Sequence, residues 1–209
     1  MQESNIVYLN ALTMIKYRGG TCTDYGVKTA TEALPFQEFA KIMKTRGYVV
    51  VEGRAEAPLH GDYIVRIYVF GHDNKHTTTT DAMRKIVEPL GNIDTNTDVL
   101  FVSPNPIATH PMKVVDGFVS SHVRLLCFTY SLLAEVIPEC SAVPEHKLLT
   151  EGEIERLSER YIDRGTMRHI YEQDPPVAWL GGRPGDVVEV ARMSASVGIA
   201  YEYYVCVRE

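Results

Sequence analysis

Tryptophan is almost missing from this chain of 209 residues, with Trp179 the one copy. Cysteine is scarce as well: Cys22, Cys127, Cys140 and Cys206 are scattered, with no Cys-x-x-Cys pair and no histidine at ligand spacing. That pattern predicts buried thiols or ordinary surface residues rather than a zinc site or disulfides. No apolar run approaches the ~18 residues that cross a bilayer. The start, Met1-Gln2-Glu3-Ser4-Asn5, has neither the basic opening nor the apolar middle of a secretion signal, so the protein is expected to stay inside the cell, away from membranes. The common catalytic signatures are missing too: there is no Gly-x-x-x-x-Gly-Lys phosphate loop, no Gly-x-Ser-x-Gly elbow and no His-Glu-x-x-His pair. No catalytic residue, metal, cofactor or small-molecule substrate is therefore expected. Finally, excess positive charge is lacking. A net charge of −6 excludes binding to nucleic acid through the overall field, so any DNA contact must come from a local patch.

What is present is an ordinary globular composition, with 45% hydrophobic and 23% charged residues, on a chain long enough for one large domain or two small ones. Ser4 or Asn5 can cap a first helix with Ile6, Leu9, Leu12 and Ile15 inward and Gly19-Gly20 as its stop; Thr21 to Ala33 reads as loop. A second helix opens with Pro35, shows Phe36, Phe39 and Met43 on one face, and ends at Gly47. Two strands follow at Tyr48–Val51 and Tyr63–Phe70, the second apolar enough to be central. Asp81 can cap a helix with Met83, Ile86, Val87 and Leu90 inward, and Asp98–Val102 is the next strand. This order predicts an α/β sheet with flanking helices. Pro104, Pro106 and Pro111 crowd an irregular loop before a brief helix at Met112–Val115, and Val123–Phe128 reads as a last strand.

Pro138 to Pro144 reads as a link between domains. Thr150-x-x-Glu153 is a capping box for a helix with Ile154, Leu157 and Tyr161 on one face. Strands at Val187–Arg192 and Ala200–Val207 complete a small domain, pictured as a helical hairpin plus a small sheet. At about 65 residues it sits near the lower limit for independent stability and gains from a partner.

The densest local information lies between Val143 and Asp186. Prolines Pro144, Pro175, Pro176 and Pro184 pre-set φ, Gly181, Gly182 and Gly185 permit turns, and Trp179 supplies the largest apolar side chain. Such residues build a docking surface rather than a catalytic centre. Pro144-x-His146 before a helix start, then Asp174-Pro175-x-x-x-Trp179-x-Gly181-x-Arg183-x-Gly185-Asp186-Val187-Val188, resembles the C-terminal assembly domain of the fifth subunit shared by nuclear RNA polymerases. The archaeal counterpart consists of that domain alone. Further upstream, Met14–Gly19, Leu34–Phe39 and Met112-Lys113 fall in the order of the eukaryotic N-terminal domain.

The resemblance implies an α/β N-terminal jaw domain, with a restriction-endonuclease-like sheet and flanking helices, over residues 1–142. It implies a small α+β assembly domain over residues 143–209. Its partners would be the largest polymerase subunit and other polymerase subunits, with downstream duplex DNA near the lower jaw. The chain would be a non-catalytic subunit of DNA-directed RNA polymerase, located in the nucleus, or in host cytoplasm or a virion if it is the copy of a large DNA virus. His146, Asp174, Pro175, Trp179, Gly181, Arg183 and Gly185 are the residues assigned to shaping and docking the assembly domain. Thr109, His110, Pro111 and Lys113 are the DNA-proximal residues, offering a hydroxyl, an imidazole and an ammonium to phosphates. Read from the residues alone, His146 is a hydrogen-bonded structural histidine rather than a ligand, and Tyr201, Tyr203 and Tyr204 are core plus one exposed face. Ser194–Ala200 departs from the family's Ser-Glu-Thr-x-Gly-Arg-Tyr pattern, which points to an altered partner surface or a specialised isoform. The rival class is a stand-alone DNA-binding or nuclease-like protein, for which Asp62, Asp73 and Lys75 are the nearest approach to a metal-binding catalytic set.

Overall fold

The computed structural model describes residues 2–19, 21–24, 33–72, 79–194, 196 and 198–208. It divides into two compact units, Met1–Ala55 with Asp62–Glu135, and Glu56–Gly61 with Val136–Glu209.

The first unit is a five-stranded sheet in the order β1(Thr21–Asp24), β2(Tyr48–Ala57), β3(Gly61–Phe70), β4(Thr97–Ser103), β5(Val123–Thr129). β1 runs antiparallel to β2, whereas β3, β4 and β5 run parallel, with Ile67 beside Leu100 and Leu100 beside Leu126. Every residue of β4 is buried, as a strand covered on both faces must be. The flanking helices are α1(Gln2–Tyr17), α2(Phe36–Arg46), α3(Thr80–Val87) and α4(Thr109–Asp116). One core layer joins Tyr68, Phe70, Val99, Phe101 and Val123 of the sheet to Met83 and Val87 of α3 and Val115 of α4. Beneath β4, the buried Asp98 carboxylate accepts from both Arg18 and Arg124, at 3.5 and 2.5 Å.

The second unit is built on a four-stranded sheet ordered β6(Glu145–Leu148), β8(Val187–Ser194), β9(Gly198–Val207), β7(Arg168–Tyr171). Helices α5(Glu151–Ser158) and α6(Pro175–Leu180) complete it. The expected capping box is formed: the Thr150 side chain meets the N3 backbone, and Glu153 returns to the Thr150 N–H at 2.9 Å.

Several expectations need correction. The buried face of α1 is Ser4, Val7, Tyr8, Ala11, Met14 and Ile15, while Ile6 and Leu9 are 47% and 39% exposed. The reason is geometric: at about 100° per residue, a stripe repeating every third position turns through about 180° between Ile6 and Ile15. Thr21–Asp24 is a strand rather than loop, paired with Val51–Arg54. Phe36 is half exposed and only leans on Phe39, 6.5 Å between ring centres. Thr79, not Asp81, is the N-cap of α3, its hydroxyl accepting from the Ala82 N–H. The expected proline-rich loop winds into helix at Thr109, with Pro111 in the first turn, where proline costs no hydrogen bond. The helical hairpin is absent: Arg168–Tyr171 is a strand, as is Glu145–Leu148. Tyr161 lies beyond the end of α5 rather than on its inner face, at φ 64° and 91% exposed.

Candidate functional site

The docking residues all fall in the second unit, but they divide by depth. His146 is on the edge strand β6, half-buried, its Nδ1–H donating to the Pro144 carbonyl at 2.7 Å. Asp174 stands immediately before α6, and its carbonyl accepts the Ala178 N–H at 2.8 Å. Burial pushes the Asp174 carboxyl above its ordinary range, opposed by the nearby His146. Strand β6 and the start of α6 thus bring an imidazole and a carboxyl together. Pro175 and Pro176 open α6, where a missing N–H costs nothing.

Trp179 is 0% exposed, so it shapes the surface from beneath. Gly181 ends α6 in the left-handed region at φ 78°, which a residue with a side chain adopts only at a cost. Gly182 is required for a different reason: a Cβ there would stand 2.5 Å from Val177 Cγ1. The backbone then turns through Arg183–Asp186. The Arg183 N–H donates to Asp186 Oδ2 at 2.7 Å, and the Gly185 N–H donates to the Cys206 carbonyl at 2.9 Å. Pro175, Pro184 and Gly185 face solvent, with Asp174 and Arg183 half-buried beside them. The result is a partly charged ridge of exposed and half-buried residues, suited to contact with a macromolecule.

Asp186 stands in the sequence motif with no role assigned to it there, and the fold gives it one. Its carboxyl is buried, and its two oxygens take the Arg183 N–H and, at 2.8 Å, His60 Nε2. An aspartate directly after a Pro-Gly turn is a signal for such a stitch.

In the first unit, α3 and α4 border an open groove of about 530 Å³ lined by residues including Thr80, Arg84, Glu88, His110 and Lys113. His110 and Lys113, three apart on α4, therefore share one surface. Thr109 is exposed at the helix start outside the lining, and Pro111 is buried. Arg84 was not singled out in the sequence, though the inward spacing of Met83 and Val87 leaves it outward. It lies 3.7 Å from Asp81 and 3.9 Å from Glu88, so part of its charge is already answered.

Asp62 is exposed at the start of β3, and Asp73 and Lys75 lie outside the described residues. Among the described residues no group of three or more His, Cys, Asp or Glu could hold a metal ion. No helix there is long and apolar enough to cross a membrane. Cys127, Cys140 and Cys206 carry reduced thiols, and burial pushes Cys127 up to about 12, while the side chain of Cys22 lies outside the description. Tyr201 is 55% exposed, whereas Tyr203 and Tyr204, half-buried on opposite faces of β9, pack against the Leu149–Val187 cluster and the Val188–Cys206 cluster, which is core contact plus one exposed ring.

Three comparisons bear on this ridge. The family model described as RNA polymerase Rpb5, C-terminal domain, matches residues 136–207. A "DNA-directed RNA polymerase RPB5 homolog" of African swine fever virus (isolate Pig/Kenya/KEN-50/1950) is 30% identical over 169 residues, which are 78% of this chain and 80% of that one. A "DNA-directed RNA polymerase subunit Rpo5" of Pyrococcus horikoshii is 41% identical over 68 residues, 32% of this chain and 83% of that one.

Proposed function

The chain belongs to the Rpb5 family of DNA-directed RNA polymerase subunits, and on that premise we propose that it is a non-catalytic subunit whose second unit anchors it to the largest polymerase chain. The carrying observation is that the family match over 136–207 contains the whole ridge from His146 to Gly185, the part of the molecule shaped by proline, glycine and buried tryptophan. Docking uses the exposed and half-buried members, Asp174, Pro175, Arg183 and Gly185, with Trp179 and Gly181 holding them in place. The division of labour at about residue 142/143, assembly after it and jaw before it, belongs to the same reading.

The first unit is the lower-jaw element, its mixed sheet with a parallel β3-β4-β5 core and its flanking helices being compatible with a restriction-endonuclease-like core. Its groove at Arg84, His110 and Lys113 faces the backbone of downstream duplex, where lysine, arginine and histidine position DNA without reading sequence. Nucleotidyl transfer and its metal ions belong to the larger chains. A relative from a large DNA virus favours a viral polymerase in host cytoplasm or virion over a nuclear one, and the altered Ser194–Ala200 segment fits a partner chain that has changed with it. No observation favours the stand-alone nuclease.

The test is affinity purification of the tagged chain from its native source, with co-purifying chains identified and transcription assayed, repeated with Arg183→Glu. Stoichiometric recovery of polymerase large chains by the wild type, and their loss from a folded Arg183→Glu variant, is the expected result. A wild-type chain that purifies alone and binds or cuts DNA unaided overturns the docking role.

A further inference from the structure

The second unit is not one continuous segment: it takes in Glu56–Gly61, the end of β2, the turn after it and the first residue of β3. Leu59 packs against the cluster of Leu149, Ile154, Leu157 and Val187. Beside it, the His60 N–H returns to the Ala57 carbonyl at 3.2 Å and closes a turn with Pro58 at its second position, a residue that pre-sets the φ such a turn needs. The imidazole is therefore presented by a pre-formed turn, and it meets Asp186 Oδ1 at 2.8 Å.

The Asp186 side chain is 4% exposed. A carboxylate this buried is stable only where donors surround it. Its other oxygen fixes the Arg183 N–H at 2.7 Å, so one buried group touches both His60 and the backbone of the docking turn. We propose that the Ala57–His60 turn is an integral part of the docking unit and that His60, acting through Asp186, positions the turn Arg183–Asp186 for its partner. The inference rests on the docking role given above and adds a positioning residue to it.

Without the ring, the Asp186 carboxylate loses a donor in a place water barely reaches. It regains hydration by rotating outward, which releases the Arg183 amide and lets Arg183 and Gly185 wander. The archaeal relative, of which 68 matched residues are already 83%, leaves no room for a unit of the first one's size. In this chain, then, the assembly unit draws a component from sequence well outside the family match at 136–207.

The experiment uses the full chain as wild type, His60→Ala and His60→Gln, and reads two things. One is amide hydrogen exchange at Arg183, with Ile154 of α5 and Glu159 at its C-cap as internal reference; the other is recovery of polymerase chains by the tagged protein. Loss of one buried hydrogen bond predicts roughly tenfold faster exchange at Arg183 in His60→Ala with α5 unchanged, a parallel fall in polymerase recovery, and restoration of much of both by His60→Gln, whose amide also donates. Unchanged exchange at Arg183 overturns the proposal. So does acceleration spread equally over α5, which makes His60 a general stabiliser only. If Arg183 responds as expected but the wild type recovers no polymerase chain, the positioning stands and the docking role fails.

Discussion

Trp179 has no contact with solvent, and Gly182 sits where a single methyl group collides with Val177. These two residues set the ridge's shape by opposite means, one filling space and the other leaving it empty. Trp179→Ala is expected to cost about 3–5 kcal/mol, the range for truncating a large buried aromatic. Gly182→Ala should cost about 1–3 kcal/mol through overpacking. Chemical denaturation of each variant checks both, with the ridge responding in either case although neither residue need touch a partner. A third residue-scale effect concerns Glu153. The Lys147 ammonium at 2.5 Å, and then the Thr150 N–H, hold its carboxyl down to about 2. A folded-state value below the unfolded one means stabilisation that is full above the ordinary carboxylate range and lost as pH falls from about 4.5 towards 2. Because the lysine is exposed, the pair is screened, and Glu153→Ala should cost about 1 kcal/mol at neutral pH, as a lost cap does. The gap between variant and wild type should close on acidification; a gap that persists at pH 2 contradicts this origin.

At the scale of elements, α1 shows how a correct helix can carry the wrong face. Its buried positions Ser4, Val7, Tyr8, Ala11 and Ile15 follow the three-four alternation of a true helical stripe, and the buried Ser4 hydroxyl is satisfied by a 3.0 Å hydrogen bond with the Tyr130 hydroxyl. Val7→Asp should therefore destabilise the protein by several kcal/mol, an unpaired charge in a core, whereas Ile6→Asp should change stability by less than about 1 kcal/mol. Thermal melts of the pair decide which face is inside. Helix α4 raises a different point. Three nearby prolines read as loop, yet one proline in the first turn of a helix is harmless, so the chain could wind from Thr109 and set His110 and Lys113 in a common groove.

For the whole molecule, the two proposed surfaces should separate genetically within the assembled polymerase. Arg84→Ala with Lys113→Ala is expected to leave subunit stoichiometry intact. It should also reduce the slope of log affinity for duplex against log salt by about 1 for each phosphate no longer neutralised. Arg183→Glu should do the reverse, depleting the subunit from the complex. Salt titrations of DNA binding on purified polymerase, with subunit content measured alongside, distinguish the two. A slope unchanged in the double variant removes the groove from the DNA path.

The near-continuous apolar, β-branched runs of Tyr63–Phe70 and Asp98–Val102 determined that a central, two-sided sheet would form, because those patterns are strictly local. Thr150 and Glu153 determined a helix start for the same reason, and the proline and glycine spacing from Pro144 to Gly185 marked the ridge. The tertiary structure alone decided which of these residues face outward: Trp179 went inside, Tyr161 outside, and Ile6 and Leu9 yielded their place to Val7 and Tyr8. It alone also found the short edge strands Glu145–Leu148 and Arg168–Tyr171, which exist by pairing with β8 and β9. The meeting of His60 with Asp186, 126 positions apart, belongs to the same class. Local pattern fixes what a segment can become, but a carboxylate's partner across such a separation is set by where the folded chain returns, and no window of sequence contains both.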